Sequence, residues 1–286
     1  MSLTNFPELL LDHLIEEHRA QTHLATFSML GGDDAPHGIR KRIFRQTTRN
    51  VEILFERMVD LLAPDTILEI GAHEAGFSRR CKAKHPEAQV IAFEANPAIY
   101  GEYRAEAEAA GVTYRNECIG DADGTATFNV PIREDGHLGR GTGSLNAPKE
   151  SGRDARQFET PCHKLDSIVT PDSGRIAAWI DVEGAVGQVL DGGSEAFHQV
   201  DLAFIELEEK EEWAGQLVYA DVARILAGFG LLPFLSAYQR RRQLNVFFLR
   251  QSLFDTRAAH RVRRRHAGML RDLAGAISAE SLPQDS

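Results

Sequence analysis

Two short segments place acidic side chains where an apolar run ends: Trp179-Ile180-Asp181-Val182-Glu183-Gly184 and Phe204-Ile205-Glu206-Leu207-Glu208. In an extended strand residues two apart share a face, so Asp181 pairs with Glu183 and Glu206 with Glu208. If the two strands are neighbours, acids from both tips converge on one edge of a sheet, where like charges need a cation, a metal or a proton to be tolerated. An acid closing an apolar strand is costly unless it has a ligand or partner, which marks Asp181 as functional. Asp181 and Glu206 are the candidate ligands for a divalent metal such as Mg²⁺, and Asp181 and Glu183 the candidate catalytic carboxylates. The alternative for Glu183 is a cap on the next helix, and for Glu208, Glu209, Glu211 and Glu212 a solvated charge run. His163, just before Leu165-Asp166, is a further base candidate, beside His73 and His137.

A second constellation is the run Ile67-Leu68-Glu69-Ile70-Gly71-Ala72-His73-Glu74-Ala75-Gly76-Phe77-Ser78: a buried strand, a glycine turn and a helix start. Small residues let the backbone pass close to a ligand, and a helix amino terminus offers unpaired N–H groups. The spacing lacks the third glycine of a dinucleotide fingerprint, and no Lys-Ser/Thr follows as in a phosphate loop. Glu69 and Glu74 would repel a pyrophosphate but suit an ammonium or sulfonium centre. About 25 residues on, Val90-Ile91-Ala92-Phe93-Glu94 ends a second strand in an acid, the place from which a carboxylate binds both hydroxyls of a ribose. Together these features point to an adenosine-containing cofactor. A nicotinamide dehydrogenase is disfavoured by the missing glycine.

The elements that must position these residues are legible from hydrophobic period. Runs at Ile67–Ile70, Val90–Phe93, Val112–Ile119, Ile176–Ile180 and Leu202–Leu207 read as strands, several followed by helical patterns, which predicts an α/β fold around a mostly parallel sheet. Leu231–Tyr238 and Leu244–Leu249 read as an antiparallel hairpin closing it. The insert from Gly120 to Leu165 carries a strand at Thr125–Val130 and a glycine-rich loop from Gly136 to Leu145, either a lid with Ser144 facing the site or a surface connection. Helical periods over Phe6–Leu30 and Arg42–Leu62 flank a linker at Gly31-Gly32-Asp33-Asp34, and the tail from Asp255 to Ser278 reads as an arginine-rich helix. The expected division is an N-terminal helical extension over 1–62, the cofactor-binding domain over 63–251 and a basic C-terminal helix over 252–286.

Composition excludes several classes. With 32 Lys and Arg against 42 Asp and Glu the formal charge is −10, which argues against nucleic acid as a partner. No apolar run approaches the roughly 18 residues of a membrane span, so no membrane insertion is expected. Cys81, Cys118 and Cys162 are scattered and odd in number, which fits neither a disulfide framework nor a CxxC metal site and suggests a reduced, cytoplasmic protein.

These segments together resemble the FkbM family of S-adenosylmethionine-dependent methyltransferases. The resemblance covers about Thr66 to Arg250 and is carried by EIGAHEAGFS, AFEANP, the IGDADG turn, KLDSI and above all IDVEGAVGQVLDGG. It implies a Rossmann-like class I methyltransferase fold, a seven-stranded sheet ending in an antiparallel hairpin, with helices added at both ends. It also implies that Glu69, Gly71 and Gly76, with His73, hold the methionine part of S-adenosylmethionine. Glu94, with Ala95 and Asn96, would hold the ribose, Cys118 and Ile119 would flank the adenine, and Asp181 would lie nearest the reactive methyl. The family commonly has Pro where Ala95 stands, Lys for Trp179 and Glu for Val186. The expected activity is O-methylation of a small, sugar-like acceptor; the alternatives are N-methylation of a small amine, or a cofactor-binding subunit without catalysis. The two terminal amphipathic helices suggest a homodimer.

Overall fold

A computed structural model of the chain describes residues 8–30, 36–133, 135–149 and 154–280. The linker expected at Gly31–Asp34 lies outside the described residues, as do the first two residues of the helix expected from Phe6. The central sheet has seven strands: β1 (Thr66–Ile70), β2 (Gln89–Phe93), β3 (Thr113–Arg115), β7 (Ile176–Ile180), β8 (Val200–Glu208), β9 (Leu231–Arg240) and β10 (Gln243–Arg250). Their spatial order is β3-β2-β1-β7-β8-β10-β9. All neighbours pair in parallel except β10, which runs antiparallel to both β8 and β9. This is the Rossmann-like methyltransferase topology, with the expected hairpin at its edge.

Alternate residues of each strand feed two cores, as the period of two requires. Leu68, Ile70, Ile91, Ala178, Ile180 and Ile205 enter one, together with α5 (Val186–Asp191) and α6 (Tyr219–Gly228). Ile67, Val90, Ala92, Ala177, Leu202 and Phe204 enter the other, against α3 (Gly76–Lys84) and the carboxyl half of α2 (His37–Leu62). Buried Val51, Leu54, Phe55, Met58 and Val59 give α2 its apolar face, and its end is set by left-handed Ala63 before Pro64. The helix begins five residues earlier than the apolar period alone indicates, directly after Pro36 at its cap. Although α2 falls within the expected N-terminal extension, it is a layer of the sheet. The outer helices are α1 (Glu8–Leu30), which meets β9 and α6, and α7 (Arg257–Glu280), which lies along α2. No described helix is long and apolar enough to cross a membrane.

One expected strand, Val112–Ile119, is two. Asn116 Nδ2 donates to the carbonyls of Glu94 and Ala95, and beyond this turn β4 (Cys118–Ile119) leaves the main sheet. It pairs with β6 (Ala155–His163), which also pairs with β5 (Gly124–Pro131), forming a second sheet of order β4-β6-β5. Periodicity could not show the break, since the two pieces are only three and two residues long.

Candidate active site

A cavity of about 220 Å³ opens at the carboxyl ends of β1, β2 and β7. Ile70 and Gly71, Phe93 and Glu94, and Asp181 to Glu183 form its floor, Cys118 and Ile119 one wall, and Phe128, Gly141, Gly143 and Leu145 its roof. The tips of the strands are packed as closely as backbone allows. Gly71 has φ +80°, and a Cβ there would stand 1.8 Å from the carbonyl oxygen of Asp181. Only glycine can bring β1 and β7 together at this point.

Glu94 is 7% exposed. Its Oε2 accepts the backbone N–H of His73 at 2.8 Å and its Oε1 that of Asn96 at 2.7 Å. Each oxygen keeps a further lone pair, which suits two hydroxyl donors side by side. Burial raises the acid to about 7, with Asp181 adding to the effect and the N–H groups of Asn96 and His73 opposing it. Asn96 also caps α4 (Pro97–Ala109), its Oδ1 accepting from Ala98 N at 3.1 Å, so the ribose-end acid and the helix start are one unit. His73, φ +45°, is held by Tyr114, whose hydroxyl donates to its carbonyl.

Asp181, Glu183 and Glu206 place carboxylate oxygens within 4.8 Å of one another. The neighbouring strands β7 and β8 do bring their acids together. Burial raises Asp181 to about 6, with Glu208 contributing. Burial, then Asp181 and Glu208, raise Glu183 to about 8. Glu206 is pushed well above the usual range by burial and by Asp181. Gln243 Nε2 donates to Glu206 at 2.6 Å and to Glu208 at 2.9 Å, so the two N–H groups of one amide serve the two acids.

Several expectations are corrected by this geometry. Glu69 does not face the cavity: it shares the sheet face of Ile67, and its Oε2 accepts the N–H of Ser78 at 2.8 Å inside α3. It supports the glycine turn from below, and Gly76, the first residue of α3, lies outside the cavity as well. His163 is also off the lining, with Nδ1 3.4 Å from Asp123 and Nε2 3.8 Å from Glu117. Glu206 sits beneath Asp181, 7% exposed, rather than on the surface of the cavity. Glu208 is no solvated charge: it is 3% exposed and accepts from Gln243 and Gln216. Glu183 caps nothing, since the cap of α5 is Ala185 and has no side-chain bond. Ser144 faces away, its Oγ accepting Asn146 N at 3.0 Å, while its neighbours Gly143 and Leu145 form the roof.

The departures at Trp179 and Val186 turn into the cores. Trp179 stacks on Phe204 at 4.1 Å and tilts against Phe77 at 5.1 Å; Val186 is 2% exposed. Neither lines the cavity, so neither alters the chemistry of its wall. Residues missed by sequence reading are Glu117, Phe128 and Arg140, which reach the cavity from the second sheet and its loop. The run Gly139-Arg140-Gly141-Thr142-Gly143 was the one available sign of the last.

The raised acids fix a pH dependence. A carboxyl held above its unfolded value stabilises the fold fully below about pH 4.5, and that stability is lost as pH rises through the folded value, about 7 for Glu94 and about 8 for Glu183. The thermal midpoint of the free protein is therefore expected to fall between about pH 5 and 8. Glu183→Gln should flatten that slope, and an unchanged slope in the variant would show that Glu183 titrates normally.

Fold and cavity together define a Rossmann-like methyltransferase. Residues 69–237 match the family model for the methyltransferase FkbM domain. The chain belongs to the FkbM methyltransferase family, and S-adenosylmethionine is its methyl donor. It is 27% identical over 213 residues to the 2-O-methyltransferase NoeI of Sinorhizobium fredii, an alignment covering 66% of this chain and 82% of that one. Among solved structures it is similar to methyltransferase FkbM from Methylobacillus flagellatus, with a TM-score of 0.41 and 12% identity. That match covers 65% of this chain and 43% of the other, so the chain spans less than half of the Methylobacillus protein. The precorrin-6y C5,15-methyltransferase of Geobacter metallireducens matches with a TM-score of 0.39 and 12% identity, over 69% of this chain and 87% of that one.

Proposed function

We propose that the protein transfers the methyl group of S-adenosylmethionine to a hydroxyl of a small, carbohydrate-like acceptor. The observation that carries this reading is that Asp181 and Glu183 face the same cavity as Glu94, so a hydroxyl-binding acid and proton-accepting acids lie around one space. The 2-O-methyltransferase relative supports an oxygen acceptor.

The residues present fit the cofactor. Glu94 has two lone pairs left for the ribose hydroxyls, Cys118, Ile119 and Phe128 offer an apolar slot for the adenine, and Gly71 presents bare backbone on the cavity floor. When bound, S-adenosylmethionine supplies an electrophilic methyl on a sulfonium, and the transfer is an in-line displacement. The protein's part is alignment, exclusion of water and removal of one proton. The roof of Gly141, Gly143 and Leu145 shields the reacting end. Glu183, held at about 8, is poised near neutral pH to take the acceptor's proton, and Asp181 orients the acceptor and balances the sulfonium charge.

Mg²⁺ is the finer part of the proposal. Asp181, Glu183 and Glu206 would hold it, and it would polarise the acceptor oxygen. Activity on a panel of sugars and hydroxylated small molecules is expected to fall in chelator and return with Mg²⁺. Activity indifferent to chelator would leave the three acids with proton transfer alone. The concentration of acids also suits an ammonium group, so an amine acceptor is the second reading, and amines belong in the same panel.

A further inference from the structure

Glu183 and Gly184 are consecutive left-handed residues, with φ +47° and +84°. That conformation is costly for a residue with a side chain and persists where surrounding structure imposes it. Here the imposing group comes from the roof loop. Asn146, 8% exposed, donates from Nδ2 to the carbonyl of Gly184 at 2.9 Å, and its Oδ1 accepts from Gln188 Nε2 of α5 at 2.5 Å. Asn146 is fixed in turn by the second sheet, its carbonyl accepting from Asn129 Nδ2 at 3.3 Å. Asn129, 5% exposed, also donates to the carbonyl of Leu145 at 3.4 Å, and its Oδ1 accepts from Gln157 at 3.1 Å. Just beyond the loop, Ala214 N donates to Ala147 O at 3.0 Å, and Trp213 packs where a Cβ on Gly184 would meet it at 2.6 Å.

We propose that Asn146 is the positioning residue for Glu183: it ties the roof of the cavity to the left-handed turn, so that lowering the loop and placing the carboxylate are one event. The inference rests on the reading of Glu183 as an acceptor-end acid and adds how that acid is set. Leu145 and Asn146 are adjacent, one on the cavity and the other on the turn, so occupancy of the cavity is transmitted to Glu183 through one peptide unit.

The donor bond to Gly184 and the acceptor bond from Gln188 can be separated. Asn146→Asp keeps an acceptor for Gln188 and removes the donor to Gly184; Gln188→Ala does the reverse. Hydrogen–deuterium exchange is measured on both variants and wild type, with and without S-adenosylhomocysteine, alongside thermal midpoints. In Asn146→Asp the amides of residues 183–187 are expected to exchange roughly tenfold faster, the loss of one buried hydrogen bond. The protection that S-adenosylhomocysteine gives those amides in the wild type should also disappear. Exchange in β1 should stay unchanged, and Gln188→Ala should keep the ligand-linked protection. With an acceptor from the panel, kcat should fall about tenfold in Asn146→Asp while KM for S-adenosylmethionine moves less than twofold. Retained ligand-linked protection in Asn146→Asp, or equal losses in both variants, would overturn the proposal. If wild type binds no S-adenosylhomocysteine, the cofactor reading fails, and the ligand-free exchange comparison still decides whether Asn146 holds the turn.

Discussion

Gly71→Ala is expected to destabilise the protein by more than about 3 kcal/mol and to abolish cofactor binding. The added Cβ would stand 1.8 Å from the Asp181 carbonyl oxygen, a backbone atom that cannot rotate away. A φ of +80° adds strain for any residue with a side chain. Relief would require the tips of β1 and β7 to part, yet Asp181 N donates to Ile70 O at 2.9 Å there, and Gly71 N to Phe93 O at 3.0 Å. The cavity floor is made of these atoms, so fold and binding should fail together. Thermal melting and titration with S-adenosylmethionine measure both. An alanine variant with wild-type midpoint and affinity would show that the strand tips are not packed as described.

Asp181→Asn separates the two properties. The side chain keeps its size and loses its charge beside Glu206 and Glu208, which are themselves crowded by like charge. Turnover is expected to fall by about 100-fold or more, the range for losing a group that acts on the proton or the developing charge. Stability near pH 8 should hold or rise, because a buried repulsion is removed. Cofactor affinity should change only a few-fold, since Glu94 remains. This combination is the mark of a site that gives up stability for chemistry. Wild-type turnover in the variant would remove Asp181 from the mechanism and leave Glu183 as the acid to examine.

Much of this arrangement is legible in the sequence, and the remainder is hidden for definite reasons. The strands follow from short apolar runs alternating with helical periods, but Asp181 and Glu183 do not meet through the two-residue repeat of a strand: β7 ends at Ile180, and Glu183 stands in a left-handed turn beyond it. Glu94 and Gly71 stand out because an acid and a glycine at strand ends are unusual residues in an apolar setting. The resemblance puts Glu69 at the cofactor, and nothing in the strand pattern says which sheet face it occupies; the contact with Ser78 decides it. Glu208 begins a run of acids and so reads as surface, whereas its partners Gln243 and Gln216 come from separate segments. The glycine-rich loop is legible as a lid candidate, but the strand residue that completes the roof, Phe128, is not, for the same reason. Phe128 and Leu145 become neighbours of Cys118 through the pairing of β5 with β6 and the bridge between Asn129 and Ser144, contacts over distances that no local period records.

The central claim is that one cavity binds S-adenosylmethionine through Glu94. Calorimetric titration of S-adenosylmethionine, S-adenosylhomocysteine and NAD⁺ into wild type and Glu94→Ala tests it directly. Wild type should bind the first two and not the third. Glu94→Ala should weaken binding by about 100-fold, since two hydroxyl contacts are lost and the N–H groups of His73 and Asn96 lose their acceptor. Equal affinity in wild type and variant, or binding of NAD⁺ alone, would contradict the account.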